Sequence, residues 1–252
     1  KTYADGKTYE PLEELIRWRL WERTGGGLMA ELGSHQLDAA SIFISAQRED
    51  GQKVKPLSVS GMGQRSLFPP DREVDDHVHC MFEFPLDGYE SDPNRKLVVS
   101  YSSINGNGYG GWGEVVLGDK GTLILEREQE AMLFKGASTT TRIEVKEGSN
   151  AMDTYETGGG AAVAQAATPQ NVSRGYREEI EHWAWCIKNP DPANQPRCKP
   201  EVAMADAVIA LVSNMDTAQG KRIEFDPEWF KIDSDETPEG QAPRKADDVT
   251  VA

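Results

Sequence analysis

Between Lys55 and Lys146 the chain is interrupted too often to be helical. Seven short runs, Lys55–Gly61, His77–Phe84, Lys96–Ile104, Glu114–Leu117, Thr122–Glu126, Ala131–Lys135 and Thr141–Lys146, are separated by turn formers. The turns are Pro69-Pro70, Asp87-Gly88, Asn105-Gly106 and Asp119-Lys120-Gly121. Runs of this length between Gly, Pro, Asn and Asp read as strands. The run His77-Val78-His79-Cys80-Met81-Phe82-Glu83-Phe84 alternates, which puts its apolar side chains on one face. The pattern predicts a mostly antiparallel sheet with one face covered.

Helical patterns flank these strands. Leu28 to Ala46 carries Leu28, Leu32, Ala39 and Phe43 at helical spacing, and Pro11–Arg23 fits a short helix or an aromatic-rich loop. Later, Tyr176, Ile180, Trp183 and Ile187 form a stripe behind a Ser173 N-cap. Glu201 to Ala218 carries Val202, Ala205, Val208, Ile209, Val212 and Met215 on one face, with Gly220 as terminator. Residues 148–172, rich in Gly, Ala, Thr and Gln, read as a surface loop. Lys221–Phe225 reads as a final strand, residues 1–10 as extended, and residues 232–252 as a loose tail. The order predicts an α+β fold: a large, mostly antiparallel open-faced β-sheet with helices packed on one face, in a single domain over residues 1–231.

Composition narrows the partners. Hydrophobic residues make up 38% of the 252 and charged residues 27%, which permits a sizeable core. The net charge of -15 repels phosphate backbones, so nucleic acid is not expected as a partner, and anionic membrane surfaces are disfavoured. No apolar run approaches the ~18 residues a membrane span requires. The chain opens at Lys1 without Met, as an internal piece or a processed protein would, so localisation stays open. Cys80, Cys186 and Cys198 have no C-x-x-C spacing; they read as buried free thiols, with one disulfide pair left open.

Two glycine clusters imitate a dinucleotide fingerprint. Gly106, Gly108 and Gly111 have G-x-G-x-x-G spacing, but Glu114–Leu117 after them reads as strand, where the fingerprint needs a helix. Gly25-Gly26-Gly27 precedes a helix but follows no strand. Its backbone N–H groups, Gly27's included, either form a flexible lead-in or face a substrate at a helix N-terminus.

Glu31, His35 and Asp38 stand at i, i+4 and i+7 of the first long helix, on one face. Position 35 falls near the apolar side, so a histidine there is either a satisfied structural residue or an imidazole flanked by carboxylates for acid–base work. A metal reading of Glu31 with His35, or of His77-x-His79 with Asp75 and Asp76, rests on loose spacing only. No G-x-S-x-G elbow is present for a serine hydrolase.

The segment Gly25–Asp38, GGGLMAELGSHQLD, resembles the motif that opens the second domain of the Gfo/Idh/MocA oxidoreductases. Glu114–Leu125, the Arg197–Val202 lead-in and the Ala218–Phe225 exit resemble later segments of that domain. Roughly 200 residues follow the pattern in order, the span of one large domain. Two departures stand out. Glu31 occupies a place usually held by Asp, and the family's E-K-P lysine has no counterpart, since Lys55-Pro56 follows Val54 and Lys199-Pro200 follows Cys198.

The resemblance implies the substrate-binding, catalytic-side domain with the Rossmann domain missing, inactive alone. NAD or NADP would be bound mainly by a domain not in this chain. His35 and Glu31 would be catalytic, and Asp38, Gly27 and Trp112 would bind substrate, a sugar or cyclitol. The open sheet face would form a homo-oligomer. The alternative is a stand-alone, non-catalytic carbohydrate-binding or oligomerisation domain, with Tyr109 and Trp112 stacking on sugar rings.

Overall fold

The computed structural model describes residues 12–22, 24–48, 50–106, 111–127, 130–135, 142–145, 151–155, 163–166 and 175–241. The segment 1–10, Tyr109, Ser173 and the tail beyond residue 241 lie outside the described residues. The chain divides into two compact units, one comprising residues 1–106 and 198–252, the other residues 107–197.

In the first unit, β1 (Ser58–Gln64), β2 (His77–Pro85), β3 (Lys96–Ile104) and β10 (Ile223–Glu224) form an antiparallel sheet in the order β10-β1-β2-β3. The alternation of β2 sets its faces as expected. Val78, Cys80, Phe82 and Phe84 are buried, while His79 and Met81 are exposed. The Phe82 and Phe84 rings, 6.5 Å apart on that inner face, are fully buried. Burial of each stabilises by about 1.5–3 kcal/mol relative to exposure.

Two helices contribute to the same core, α2 (Ser34–Ser45), preceded by a π-helical turn at Met29–Gly33, and α4 (Pro200–Gln219). Met29, Leu37, Ile44, Ala205, Ile209, Ala210 and Val212 join Val59 and the β2 side chains in one cluster, closed by Phe225 and Phe230. Pro200 occupies the first turn of α4, where its missing N–H costs nothing, and Gly220 ends the helix at φ +60°. A short helix α1 (Leu12–Ile16) and a 3-10 turn (Trp18–Leu20) precede the glycines.

The buried stripe of the Leu28–Ala46 helix differs from the expected one. It is Met29, Gly33, Leu37, Ser41 and Ile44, whereas Leu32 is half exposed. Hydrophobicity alone favoured Leu32, but small residues occupy the packed side. The buried Ser41 hydroxyl donates to the Asp38 carbonyl at 2.8 Å, and the buried Ser213 hydroxyl of α4 to the Ile209 carbonyl at 2.7 Å. Each thereby meets its hydrogen-bonding need within its own helix.

The second unit holds a six-stranded antiparallel sheet in the order β4-β5-β6-β9-β8-β7. These strands are β4 (Gly113–Gly118), β5 (Gly121–Glu126), β6 (Glu130–Lys135), β7 (Arg142–Val145), β8 (Ala151–Tyr155) and β9 (Val163–Ala166). β8 and β9 fall within the stretch read as a surface loop. Their Ala, Thr and Gln content hides strand character that pairing to neighbours supplies. The same unit carries α3 (Tyr176–Lys188), whose stripe Tyr176, Ile180, Trp183 and Ile187 is exposed. The α+β class thus holds, with two antiparallel sheets in place of one large sheet. No disulfide joins the cysteines; Cys80 and Cys186 are buried, while Cys198, expected inside, is exposed in the Pro-rich stretch before α4. Among the described residues no helix is long and apolar enough to cross a membrane.

Candidate functional site

The glycine lead-in is built by close backbone approach. Residues Trp21 to Gly25 close a turn, with the Gly25 N–H bonded to the Trp21 carbonyl at 2.8 Å. A Cβ on Gly25 would lie 2.8 Å from the Arg19 Cα, so only glycine fits there. Gly26 and Gly27 both have φ +71°, a left-handed backbone that turns the chain into the helix. From α4, the Asn214 amide donates to the Gly26 carbonyl at 2.7 Å and fixes that turn.

Trp21 is buried and the Arg72 guanidinium lies 5.0 Å from the centre of its ring. The loop that supplies Arg72 is held by Asp76. Its fully buried carboxylate accepts from the N–H groups of Ser66, Leu67 and Phe68, the last two at 2.6 and 2.7 Å. Burial alone would push this carboxyl upward. The N–H donors and paired His77 outweigh it, and Asp76 is held well below the usual carboxylate range.

The π-helical turn carries Glu31, and α2 carries His35 and Asp38. A wide turn of this type often sits at a functional site. Glu31 is held by Arg19, whose Nε donates to Oε2 at 2.7 Å, while its buried Oε1 has no hydrogen-bond partner. Asp38 pairs with Lys53, and the same ammonium pairs with Asp206 of α4 at 2.6 Å. His35, expected near the apolar side, is exposed between these two tethered carboxylates. Burial raises Asp206; Lys53 acts against this, Asp38 adds to it, and a charged His35 lowers it again.

Gly27 lies at the start of the same helix. Trp112 belongs to the second unit. Its ring is half exposed with the Arg127 guanidinium 6.0 Å from its centre, and its carbonyl accepts from the Arg127 N–H. His77 and His79 lie on the outer face of the first sheet, with His77 committed to Asp76. Among the described residues no three His, Cys, Asp or Glu side chains gather as a metal site. The described strand pairs are all antiparallel, and β4 follows the Gly106 cluster directly. The described residues therefore do not fit a dinucleotide cradle, which needs a strand, glycine turn and helix in a parallel unit.

Arg19, Lys53, Asp206 and Asn214 were not singled out by motif. A signal for one of them exists. Between Glu201 and Lys221 the only charged residues are Asp206 and Asp216, in an otherwise largely apolar run. A carboxylate inside such a run needs a partner or a raised pKa.

Residues 3–124 match the GFO/IDH/MocA C-terminal domain. Among curated proteins nothing matches the chain. Solved structures share its fold at low identity. The NAD binding oxidoreductase from Klebsiella pneumoniae is 18% identical with a TM-score of 0.51, over 82% of this chain and 53% of that one. A protein assigned as an NADPH-dependent oxidoreductase from Desulfitobacterium hafniense is 15% identical with a TM-score of 0.52, over 82% and 51%. One assigned as an oxidoreductase from Thermotoga maritima is 14% identical with a TM-score of 0.51, over 81% and 49%. The chain spans about half the length of these proteins.

Proposed function

We propose, from the match of residues 3–124 to the GFO/IDH/MocA C-terminal domain, that the chain is the substrate-binding, proton-transfer side of an NAD(P)-dependent oxidoreductase acting on a hydroxyl of a sugar, sugar derivative or cyclitol. One observation carries the reading. His35 stands exposed on α2 between two carboxylates that are each tethered to a cation, Glu31 to Arg19 and Asp38 to Lys53. A proton-transfer group has to be reachable, as the exposed His35 is, and the carboxylates that flank it are themselves held by cations.

In this proposal His35 takes or returns the proton of the substrate hydroxyl. The free Oε1 of Glu31, buried and unpartnered, accepts from an adjacent substrate hydroxyl or from His35. Asp38 and the Gly27 backbone flank the substrate. Hydride chemistry belongs to NAD or NADP, held mainly by a domain outside this chain, which by itself is inactive. The outer face of the first sheet exposes Met62, Met81, Val98 and Ile104, and we assign it to contact between copies.

The test is His35→Ala in the natural polypeptide with its cofactor. Turnover falls about 10²–10⁴-fold, the contribution of a general acid–base. Unchanged turnover would overturn the assignment.

A further inference from the structure

We propose that a cavity at the far end of α2 is a second binding site, which takes a small carboxylate with a short apolar body on the Arg95 guanidinium. It lies apart from the candidate catalytic face and does not depend on it.

The cavity has a volume of about 200 Å³ and lies where the C-terminal end of α2 meets the connection between β2 and β3. That is below the ~300–1,000 Å³ of pockets for drug-sized ligands, so its occupant is small. Ile44, one of its walls, follows His35 on the same helix by nine positions. That is about 14 Å along the axis, at a rise of about 1.5 Å per residue.

The connection, residues 86–95, is held by its own backbone. The Leu86 N–H donates to the Arg95 carbonyl at 2.9 Å, and the Arg95 N–H to the Asp92 carbonyl at 2.9 Å. Gly88 turns the chain at φ +84°, and the Arg95 side chain crosses the space a Cβ would need there, its Nε 3.0 Å from that position. The same Nε donates to the Asp87 carbonyl. The guanidinium is therefore placed before any ligand arrives, with its Nη groups left as donors.

The charges lining the cavity are unevenly settled. Arg48 gives Nε and Nη2 to the two oxygens of Asp50 at 3.1 and 2.8 Å, and its Nη1 lies 3.6 Å from the Asp87 carboxylate. Arg95 makes no ion pair among the described residues. It is the lining charge without a counter-charge at such range, and that selects an anion. A planar guanidinium edge matches a carboxylate with two parallel N–H···O bonds. Ile44, Pro85 and Leu86 supply an apolar wall, Ile44 being only 4% exposed. The wall favours a carboxylate that carries hydrocarbon over a bare anion.

The test titrates the unaltered chain with sodium butyrate and follows the amide NMR signals of Leu86 and Arg95. They shift to saturation, and butan-1-ol at the same concentrations leaves them in place. Arg95→Gln weakens butyrate binding about 10–100-fold, the loss expected for a charge-assisted contact. Arg95→Lys keeps the charge and the stem over Gly88 without the fork, and falls between. His35→Ala binds butyrate as the unaltered chain does. No saturation in the unaltered chain overturns the proposal without recourse to any variant. Equal binding by folded Arg95→Gln overturns it as well. So does inorganic phosphate binding as tightly as butyrate, which would mark a bare anion site. Loss of binding in His35→Ala would put butyrate at the candidate catalytic face and overturn it too.

Discussion

The two units bury their side chains very differently. The first closes a core in which Met29, Leu37, Val59, Phe82, Phe84, Ile209 and Val212 are all but invisible to water. In the second, Cys186 is the one buried side chain among those described. Leu117 on β4 is 80% exposed, and Val115, Tyr176, Ile180, Trp183 and Ile187 are also open. Both units are antiparallel sheets with helix, so among the described residues topology alone does not decide burial. The first unit places two helices with small residues on their packed sides, Gly33, Ser41, Ala205 and Ser213, over an alternating strand. That lets backbones approach and fills the space between them. Stability in this chain is therefore expected to reside in the first unit, the one that carries His35.

The comparison can be broken most sharply at Phe82. Phe82→Ala empties a fully buried site and should destabilise the first unit by about 3–5 kcal/mol in denaturant titration. A cost near zero would mean that the core is not where stability resides.

A second test concerns Asp216, which faces β1 and β2 from α4. It is fully buried, neither carboxylate oxygen has a hydrogen-bond partner, and burial pushes its pKa up to about 6, the nearby Gly61 N–H offsetting only part. It also helps burial push the neighbouring Cys80 thiol up to about 12. A carboxyl whose folded pKa exceeds its unfolded value of about 3.9 holds its proton more tightly when folded. Stability should then fall as pH rises from about 4 through about 6 and stay reduced above. Asp216→Asn removes that charge and should flatten this dependence, gaining up to about 3 kcal/mol at neutral pH. A melting temperature with the same pH profile in both proteins would contradict it.

Gly26→Ala comes next. The substitution forces a side chain into φ +71° and brings its Cβ within 2.9 Å of the Ala30 Cβ. A loss of about 1–2 kcal/mol is expected, read as faster hydrogen exchange at the start of the Leu28 helix. The smallest effect belongs to the second unit. Leu117→Ala should change stability by less than about 0.5 kcal/mol in the same denaturant titration. A loss comparable to that of Phe82→Ala would show a buried surface at β4 and erase the contrast.

How much of this was visible in the residue order follows from range. β2 and β3 were legible because polarity alternates and turn residues bound them, features contained in the segment itself. β8 and β9 were not, because Ala151–Tyr155 and Val163–Ala166 owe their form to pairing. The helix bearing His35 was placed correctly in sequence, but its buried side was misread, since the π-helical turn and the small packed residues outweigh hydrophobicity. Of the site, Glu31, His35 and Asp38 stood together in the motif. Lys53 and Asp206 did not, because 153 positions separate them and only the packing of α4 brings them together.

The first unit is made from two stretches of chain, one ending at residue 106 and one beginning at 198. During synthesis, β1 is translated long before its partner β10, and the inner face of β2 long before α4. Until the ribosome has passed residue 224, β1 remains an open edge, and Val59 and Phe82 have no α4 above them. The unit that carries His35 is thus expected to be the last to close, and its nascent form the one with most need of a chaperone.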